Sequence, residues 1–291
     1  MIHAPVLLQE VVEVLQPHAG DTVIDGTAGA GGHAAALRDR IGSGAMLLVD
    51  WDEETVRALG EEVRSFPQTR VVHGNYADIP ELQRTLPFPK ADIALLDLGF
   101  SSDQLLRGKG FSFQKRDEPL VMTYSAARGS LRDALRSLSE GELAEIIAEF
   151  GEERYAKKIA QAIVANRSAL RTVGDLADTI TGAVPKTYER GRINPATRTF
   201  QALRIYINDE LGNLTRFLDA LPSIMKPGGR VAIISFHSLE DRIVKTAFHE
   251  MEKAGTGKRL TRKPLVASFE EVARNPRARS AKLRAFTFQL S

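Results

Sequence analysis

The chain has 291 residues, of which 43% are hydrophobic and 26% charged, and its formal net charge is +2. This length and apolar content are ample for a packed core, which excludes a disordered protein. The absence of cysteine excludes disulfides, thiolate metal sites and a thiol nucleophile. No apolar run reaches the roughly 18 residues of a membrane span, and no basic segment leads into an apolar one at the N-terminus. We therefore expect a cytoplasmic protein without a membrane-spanning segment.

The first strand in the chain runs into a carboxylate and then a glycine-rich loop, with the sequence TVIDGTAGAGGH over residues 22–33. Its glycines let the backbone turn sharply and a ligand approach closely, and the next helix begins with unpaired N–H groups. This pattern predicts a nucleotide-cofactor loop, although a glycine-rich turn in an ordinary strand–helix unit is the alternative. Asp25 stands before the first glycine, where it would repel a diphosphate but could orient a cation. Because S-adenosylmethionine carries an ammonium and a sulfonium, Asp25 favours this methyl donor over NAD.

A second apolar strand, at residues 45–49, ends in Asp50. An acid at the end of this strand can accept hydrogen bonds from two ribose hydroxyls. Both NAD enzymes and methyltransferases use an acid there. Asp50 therefore predicts a nucleoside cofactor without distinguishing between the two classes.

Helices and strands continue to alternate after the second strand. The pattern predicts helices at residues 53–66 and 78–86 and strands at residues 70–73 and 92–96. Such alternation is typical of a parallel sheet with right-handed crossovers.

A long helical stretch then interrupts the alternation. Residues 130–225 have helical patterning throughout, with capping boxes at residues 139–142 and 172–175. An apolar strand at residues 230–234 resumes the sheet, and residues 238–241 are predicted to cap the helix that follows. The helical stretch is therefore an insertion within the sheet domain.

The chain ends in two strand candidates, residues 258–263 and 283–290, that lack the crossover of a parallel pair. A final antiparallel strand is usual in class I methyltransferases and unusual in dinucleotide dehydrogenases. We therefore predict an α/β protein with a Rossmann-like, mostly parallel class I methyltransferase sheet and an inserted all-helical domain. The expected methyltransferase domain comprises residues 1–107 and 206–291, and the inserted domain comprises residues 108–205.

The end of the fourth strand carries the strongest catalytic candidate, Asp97. Ligands of open parallel sheets bind outside the carboxyl ends of the strands. Amino-group methyltransferases place an acid or amide and an aromatic residue at this strand end. Asp97 could accept a hydrogen bond from the target NH₂ and align the nitrogen lone pair, while Phe100 could stack on a flipped base. A packing role for Phe100 is equally compatible with the sequence.

The histidines do not point to a catalytic base or to a metal site. His237, just past the fifth strand, could take a proton from the methylated nitrogen or simply hydrogen-bond its loop, and the second role is favoured. The remaining histidines lack the pair spacing of a metal site, so we expect no metal.

The small net charge conceals two basic segments. Residues 258–284 contain nine Lys or Arg and two Glu, and residues 186–204 contain five Lys or Arg and one Glu. Such segments are typical of proteins that bind a phosphate backbone. Solvated helix faces and turns are the alternative, but the charge pattern favours nucleic acid.

Seven motifs together resemble the ribosomal RNA small subunit methyltransferase H family. In chain order they are DGTAGAGGH (25–33), DLGFSSDQL (97–105), GFSF (110–113), GEER (151–154), NPATRTFQ (194–201), SFHSLEDR (235–242) and NPRARS (275–280). They span nearly the whole chain, so the resemblance is specific.

The resemblance implies methyl transfer from S-adenosylmethionine to N4 of a cytidine in the decoding region of bacterial 16S rRNA. It also implies a helical domain inserted in the methyltransferase fold, and the small ribosomal subunit as the partner. The cofactor contacts carried over from the motifs are Gly31, Gly32, His33, Asp50, Tyr76, Asp97 and Gln104.

This chain departs from the family pattern at several positions. The loop PLVMTYS at residues 119–125 lacks two acids and an arginine of the usual PLDMRMD. Tyr76 replaces a usual phenylalanine, Asn194 a usual histidine and Phe100 a usual valine. The cofactor motifs are retained, so a working methyltransferase is expected.

Three other functions remain open from the sequence. An amino-methyltransferase acting on another rRNA base or on DNA would need the same basic segments, because they respond to phosphate alone. A non-enzymatic RNA-binding assembly factor could keep the fold as a scaffold, although Asp50 and Asp97 argue against it. An NAD dehydrogenase is disfavoured by Asp25 and by the final antiparallel strand.

Overall fold

The structure is a computed structural model that describes residues 5–99, 108–124, 129–188 and 193–289. The chain divides into two compact units. One, the sheet unit, comprises Met1–Gly99 and Leu211–Ser291, and the other, the helical unit, is Phe100–Glu210. Among the described residues, no helix is long and apolar enough to cross a bilayer.

Seven strands form one sheet in the sheet unit. They are β1 (Val23–Asp25), β2 (Met46–Asp50), β3 (Thr69–His73), β4 (Ala91–Asp97), β5 (Met225–Ser235), β6 (Gly257–Arg259) and β7 (Lys282–Phe288). Their order across the sheet is β3-β2-β1-β4-β5-β7-β6. The first five strands are parallel, and β7 runs antiparallel to both β5 and β6. The predicted mostly parallel sheet with a final antiparallel strand is confirmed.

Twelve α-helices lie within the described residues. They are α1 (Leu8–Leu15), α2 (Gly32–Ile41), α3 (Glu53–Glu62), α4 (Ile79–Thr85), α5 (Leu131–Ser137), α6 (Glu140–Gly151), α7 (Ala156–Asn166), α8 (Val173–Ala183), α9 (Ala196–Asn208), α10 (Glu210–Ile224), α11 (Ser238–Lys253) and α12 (Phe269–Arg274).

The sheet unit buries a hydrophobic layer on each face of the sheet. Alternate residues of β1 face opposite sides, so Ile24 joins one cluster and Val23 the other. Phe217 of α10 and Phe248 of α11 complete the first cluster. Leu37 of α2, with residues of α1, completes the second. The first strand is thereby enclosed on both faces, which fixes the position of the loop that follows it.

The helical unit has a separate core, built from the apolar faces of its helices. The two predicted capping boxes are confirmed: Ser139 with Glu142 begins α6, and Thr172 with Asp175 begins α8. Ser130 with Asp133 adds a third at α5. Each box satisfies N–H groups that the first turn leaves without helical partners. The described part of this unit contains helices and no strand, as the sequence indicated.

Some predicted boundaries were wrong. The helix expected at residues 53–66 ends at Glu62, and the next three residues form a turn. The N-cap of α11 is His237 and not Ser238, since the His237 ring accepts the N–H of Glu240. The helix α12, between the last two strands, was not anticipated.

Candidate cofactor and active site

The carboxyl ends of three adjacent parallel strands form the candidate site. β1 lies between β2 and β4, and the three strands end in Asp25, Asp50 and Asp97. β1 is the switch point of the sheet, because the chain continues to β2 on one side and later returns to β4 on the other. The structure thus brings together the three acids that the sequence singled out.

The glycine-rich loop after β1 packs tightly against the sheet. The Gly26 N–H donates to Leu95 O at 3.0 Å, and a Cβ on Gly26 would lie 2.8 Å from Tyr76 Cβ, an atom close to the backbone. Gly31 has φ +78°, and a Cβ there would lie 2.7 Å from Leu59 Cδ1. Glycine is therefore required at both positions, and it holds the loop close to the strand ends. Gly32, the next residue, is the first of α2.

Asp50 organises this loop from the neighbouring strand. One of its carboxylate oxygens accepts the Gly29 N–H at 2.8 Å, and the other accepts the Asp52 N–H at 2.9 Å. These bonds fix the carboxylate plane at the end of β2. Asp50 could hold ribose hydroxyls there, as its sequence position predicts.

Asp25 is a buried carboxylate beneath the loop. Its Oδ1 accepts the Thr27 N–H at 3.1 Å. Burial raises the pKa of Asp25 to about 6, and the nearby His33 and the Thr27 hydrogen bond only partly offset that effect. A cation bound in the loop would stabilise the ionised form, so this acid fits a positively charged ligand.

Asp97, at the end of β4, is positioned by a hydrogen bond from its backbone N–H. Its N–H donates to Thr27 Oγ1 at 2.6 Å, which ties the end of β4 to the loop after β1. The side chain is about 20% exposed, and within the described residues its Oδ1 is buried with no hydrogen-bond partner. Burial raises the pKa of Asp97 to about 7, although the charge of Arg277 works in the opposite direction. The site therefore contains a carboxylate with acceptor capacity and with a pKa near neutrality.

His33, expected among the cofactor contacts, uses its ring for contacts within the protein. Its Nε2 lies 2.9 Å from Val6 O, so this nitrogen carries the proton and donates. Its Nδ1 faces Asp97 Oδ2 at 3.7 Å. Burial lowers the pKa of His33, which keeps the imidazole neutral. The His33 ring thus bonds the N-terminal segment through one nitrogen and lies next to Asp97 through the other. Because both ring nitrogens face protein atoms, the His33 backbone is the part suited to a cofactor contact.

Two aromatic residues lie beside Asp50. Tyr76 is buried, with its ring stacked on Trp51 at a centroid distance of 5.9 Å and edge-on to Phe217. Trp51 follows Asp50 directly and is partly exposed. Sequence reasoning selected Tyr76 but missed Trp51, although an aromatic residue directly after a strand-end acid is a usable signal.

His237 acts as a helix cap. Its Nδ1 accepts the Glu240 N–H at 3.4 Å, and its Nε2 lies 3.1 Å from Glu240 Oε1. The favoured interpretation, a hydrogen-bonding role in this loop, matches this geometry. Two other candidates, Phe100 and Gln104, lie outside the described residues.

Part of the C-terminal basic segment is engaged in ion pairs. Arg284 binds Asp241 through Nε at 2.6 Å, and Lys282 Nζ lies 3.3 Å from the same carboxylate. Arg259 pairs with Glu252. The count of charges along the sequence therefore overestimated the number of cations in this segment that are available to bind a ligand. Exposed cations of the segment are Lys258, Arg262, Lys263, Arg274 and Arg279.

The sheet order, the antiparallel seventh strand and the acids at the ends of β1, β2 and β4 define a class I methyltransferase. The family model described as the MraW methylase family matches residues 1–289. The chain belongs to this family. A methylase with this sheet uses S-adenosylmethionine as its methyl donor, and the buried acids and close loop fit that cationic nucleoside.

Individual relatives match this chain over nearly its whole length. The chain is 43% identical to "Ribosomal RNA small subunit methyltransferase H" of Coprothermobacter proteolyticus, over 98% of this chain and 95% of the relative. It is 44% identical to the protein of the same name from Trichlorobacter lovleyi, over 97% of each chain. Among solved structures it matches an rRNA methylase from Streptococcus thermophilus with 11% identity and a TM-score of 0.42, over 99% of each chain.

Proposed function

We propose that this methyltransferase transfers a methyl group from S-adenosylmethionine to N4 of a cytidine in the decoding region of bacterial 16S rRNA. The names of the relatives support ribosomal RNA of the small subunit as the substrate. The position of Asp97 supports an exocyclic amine as the acceptor. The proposed site of action is the cytoplasm, and the proposed partner is the small ribosomal subunit.

The observation that carries the proposal is the buried Asp97 Oδ1, which has no hydrogen-bond partner in the described part of the chain. A buried carboxylate oxygen without a partner is costly, and a donor brought by a ligand would relieve that cost. The exocyclic amine of cytosine offers two N–H donors. A hydrogen bond from one of them to Asp97 would turn the nitrogen lone pair toward the methyl group.

The proposed cofactor site includes several residues besides this acid. Gly31, Gly32 and the backbone of His33 would line the methionine side, Asp50 would bind the ribose, and Tyr76 with Trp51 would border the base. When bound, S-adenosylmethionine supplies an electrophilic methyl group on a sulfonium. Asp97 and Gln104 complete the proposed set, as the family motifs imply.

Proton transfer can also be assigned to a residue of the site. The amine loses a proton once its nitrogen is methylated, and an acid–base group with a pKa near the working pH accepts such a proton efficiently. Asp97, with its pKa raised to about 7, has this property. The same carboxylate would thus orient the amine and then receive its proton.

Mapping of the methylated nucleotide tests the proposal. Purified protein and S-adenosylmethionine are incubated in three separate reactions with small ribosomal subunits, naked 16S rRNA or DNA. The methylated product of each reaction is mapped by mass spectrometry. N4-methylcytidine in the decoding region is the expected product, and Asp97→Ala should abolish it in a protein whose thermal unfolding shows an intact fold. Calorimetry measures cofactor binding by the wild type. Methylation of another base or of DNA would favour the broader amino-methyltransferase, and cofactor binding without methyl transfer to any substrate would favour an assembly factor.

A further inference from the structure

One large aromatic side chain is almost fully exposed in the sheet unit. Phe269, the first residue of α12, is 85% exposed, and Val266 nearby is 60% exposed. The helix start is fixed, because the Ser268 hydroxyl accepts the Glu271 N–H at 3.1 Å. The ring is therefore presented to solvent on an ordered element.

This exposed ring belongs to a segment anchored next to the active site. Glu271 of α12 accepts the Leu7 N–H at 2.7 Å. The preceding residue, Val6, accepts the Nε2–H of His33, whose Nδ1 faces Asp97. Three successive contacts thus link α12 to the proposed catalytic carboxylate.

A second link comes from the turn that follows α12. Arg277 lies close enough to Asp97 for its charge to oppose the burial effect on the pKa of that acid. The turn belongs to the short 3-10 helix Pro276–Ser280. The segment from α12 through this turn therefore borders the carboxyl ends of the strands.

The same segment is rich in cations. Residues 262–279 contain five Lys or Arg and two Glu, and one of the acids, Glu271, is bound to the N-terminal segment. Arg262, Lys263, Arg274 and Arg279 are exposed. A phosphate backbone is complementary to this charge.

We propose that residues 262–279 form a binding surface for single-stranded nucleotides that flank the target cytidine, with Phe269 stacking on one unpaired base. This inference rests on the proposed function for its RNA substrate. Cations along the backbone and an aromatic stacking platform are the two components of single-strand binding sites. A base extruded for methylation also leaves its neighbours open to stacking.

A protein partner fits this surface less well. Protein interfaces have an extended apolar core, and the core of such a patch is depleted of charged residues. Here the strongly exposed apolar residues are Phe269 and Val266, and exposed cations flank them in the sequence. A single ring among cations matches one base with its phosphates.

Variants of the ring test the proposal directly. Phe269→Ala and Phe269→Leu remove the stacking face, whereas Phe269→Trp keeps it. The probe is a fluorescein-labelled 16S rRNA fragment that carries the decoding region, and affinity is measured by anisotropy. We expect Ala and Leu to weaken binding about 5- to 150-fold and Trp to retain it. Affinity for S-adenosylmethionine should remain unchanged in all three.

Phe66→Leu is the matched control. Phe66 is another exposed aromatic residue, 37% exposed, and lies before the amino end of β3, on the opposite edge of the sheet. This variant should bind RNA like the wild type. Thermal unfolding of each variant checks that the fold is intact.

Several outcomes would overturn the inference. One is an RNA affinity of Phe269→Ala or of Phe269→Leu that equals that of the wild type. Another is a loss of affinity for assembled subunits without a loss of affinity for the RNA fragment, which would indicate a contact with a ribosomal protein. Methyl transfer by the wild type is measured on the same RNA and on small ribosomal subunits. If binding depends on Phe269 but neither substrate is methylated, the proposed function fails and the binding surface stands.

Discussion

The His33 imidazole and the Asp97 carboxylate face each other with 3.7 Å between Nδ1 and Oδ2, and they do so without forming a strong ion pair. The His33 proton is on Nε2, bonded to Val6 O, so the nitrogen that faces Asp97 carries a lone pair. Burial lowers the pKa of His33 and raises that of Asp97 to about 7. A neutral imidazole cannot hold the acid in its ionised form, and the carboxyl group is left near the midpoint of its titration at neutral pH.

This pairing predicts a pH dependence of methyl transfer. The carboxylate form of Asp97 is the one that accepts a hydrogen bond and a proton, so kcat/KM, which reports the free enzyme, should rise with pH through about 7 and then level off. Asp97→Asn should remove this rise. A kcat/KM that is flat from about pH 5.5 to 9 in the wild type would contradict the assignment.

The same pKa predicts an effect on stability. The pKa of Asp97 is raised in the folded state, so the folded protein binds more protons than the unfolded one between about pH 4 and 7. The free energy of unfolding should therefore fall as the pH rises through that window. Asp97→Asn should be more stable than the wild type at about pH 8, by up to about 4 kcal/mol, and this difference should disappear near pH 4. Urea unfolding at both pH values measures the difference.

Asp50 should contribute both to cofactor binding and to the stability of the glycine-rich loop. Asp50→Ala is expected to weaken S-adenosylmethionine binding about tenfold or more, because a charged acceptor contributes about 1.5–3 kcal/mol to such hydrogen bonds. The variant also leaves the N–H groups of Gly29 and Asp52 without their acceptor, which should lower stability by about 1–3 kcal/mol. Calorimetry and thermal unfolding separate the two effects. Undiminished cofactor affinity in a folded variant would remove Asp50 from the site.

The main features of the fold and site could be predicted from sequence because they depend on local patterns. Strand ends at Asp25, Asp50 and Asp97 follow from apolar runs, and the rule for open parallel sheets gathers those ends at one edge. Thr27 could not be selected, since its role comes from a hydrogen bond to a backbone N–H 70 positions away. The His33 ring contact with Val6 is equally non-local.

Surface charge was predicted less well, for a related reason. A count along the chain treats Lys282 and Arg284 as available cations, whereas both bind Asp241 of α11. Helix α12 was not predicted either, because it is short and its Phe269 faces solvent, so no apolar periodicity marks it.

The ion pairs of Lys282 and Arg284 with Asp241 show which cations to change in a test of salt dependence. Neutralising Arg274 and Arg279, both exposed, should weaken rRNA binding and lower the slope of log K against log salt by about 0.7–0.9 for each phosphate interaction that is removed. Arg284→Gln is the contrasting variant, since it breaks a buried pair with Asp241 and should mainly reduce stability. An unchanged slope and affinity in the double variant would mean that these cations are only a solvated surface.

The last prediction concerns the atom that receives the methyl group. Methylation of cytosine at carbon 5 requires prior attack on the ring by a nucleophile, normally a thiolate, and this chain has no cysteine. The exocyclic amine needs no covalent step, only an extruded base and a hydrogen bond to an acceptor such as Asp97. Substrate RNA with 5-fluorocytidine at the target should therefore still be methylated and should not become trapped on the protein. Denaturing gels and mass spectrometry of the digested RNA measure both outcomes. A stable protein–RNA adduct, or a methyl group on carbon 5, would refute the proposed mechanism, because neither can arise from direct transfer to N4.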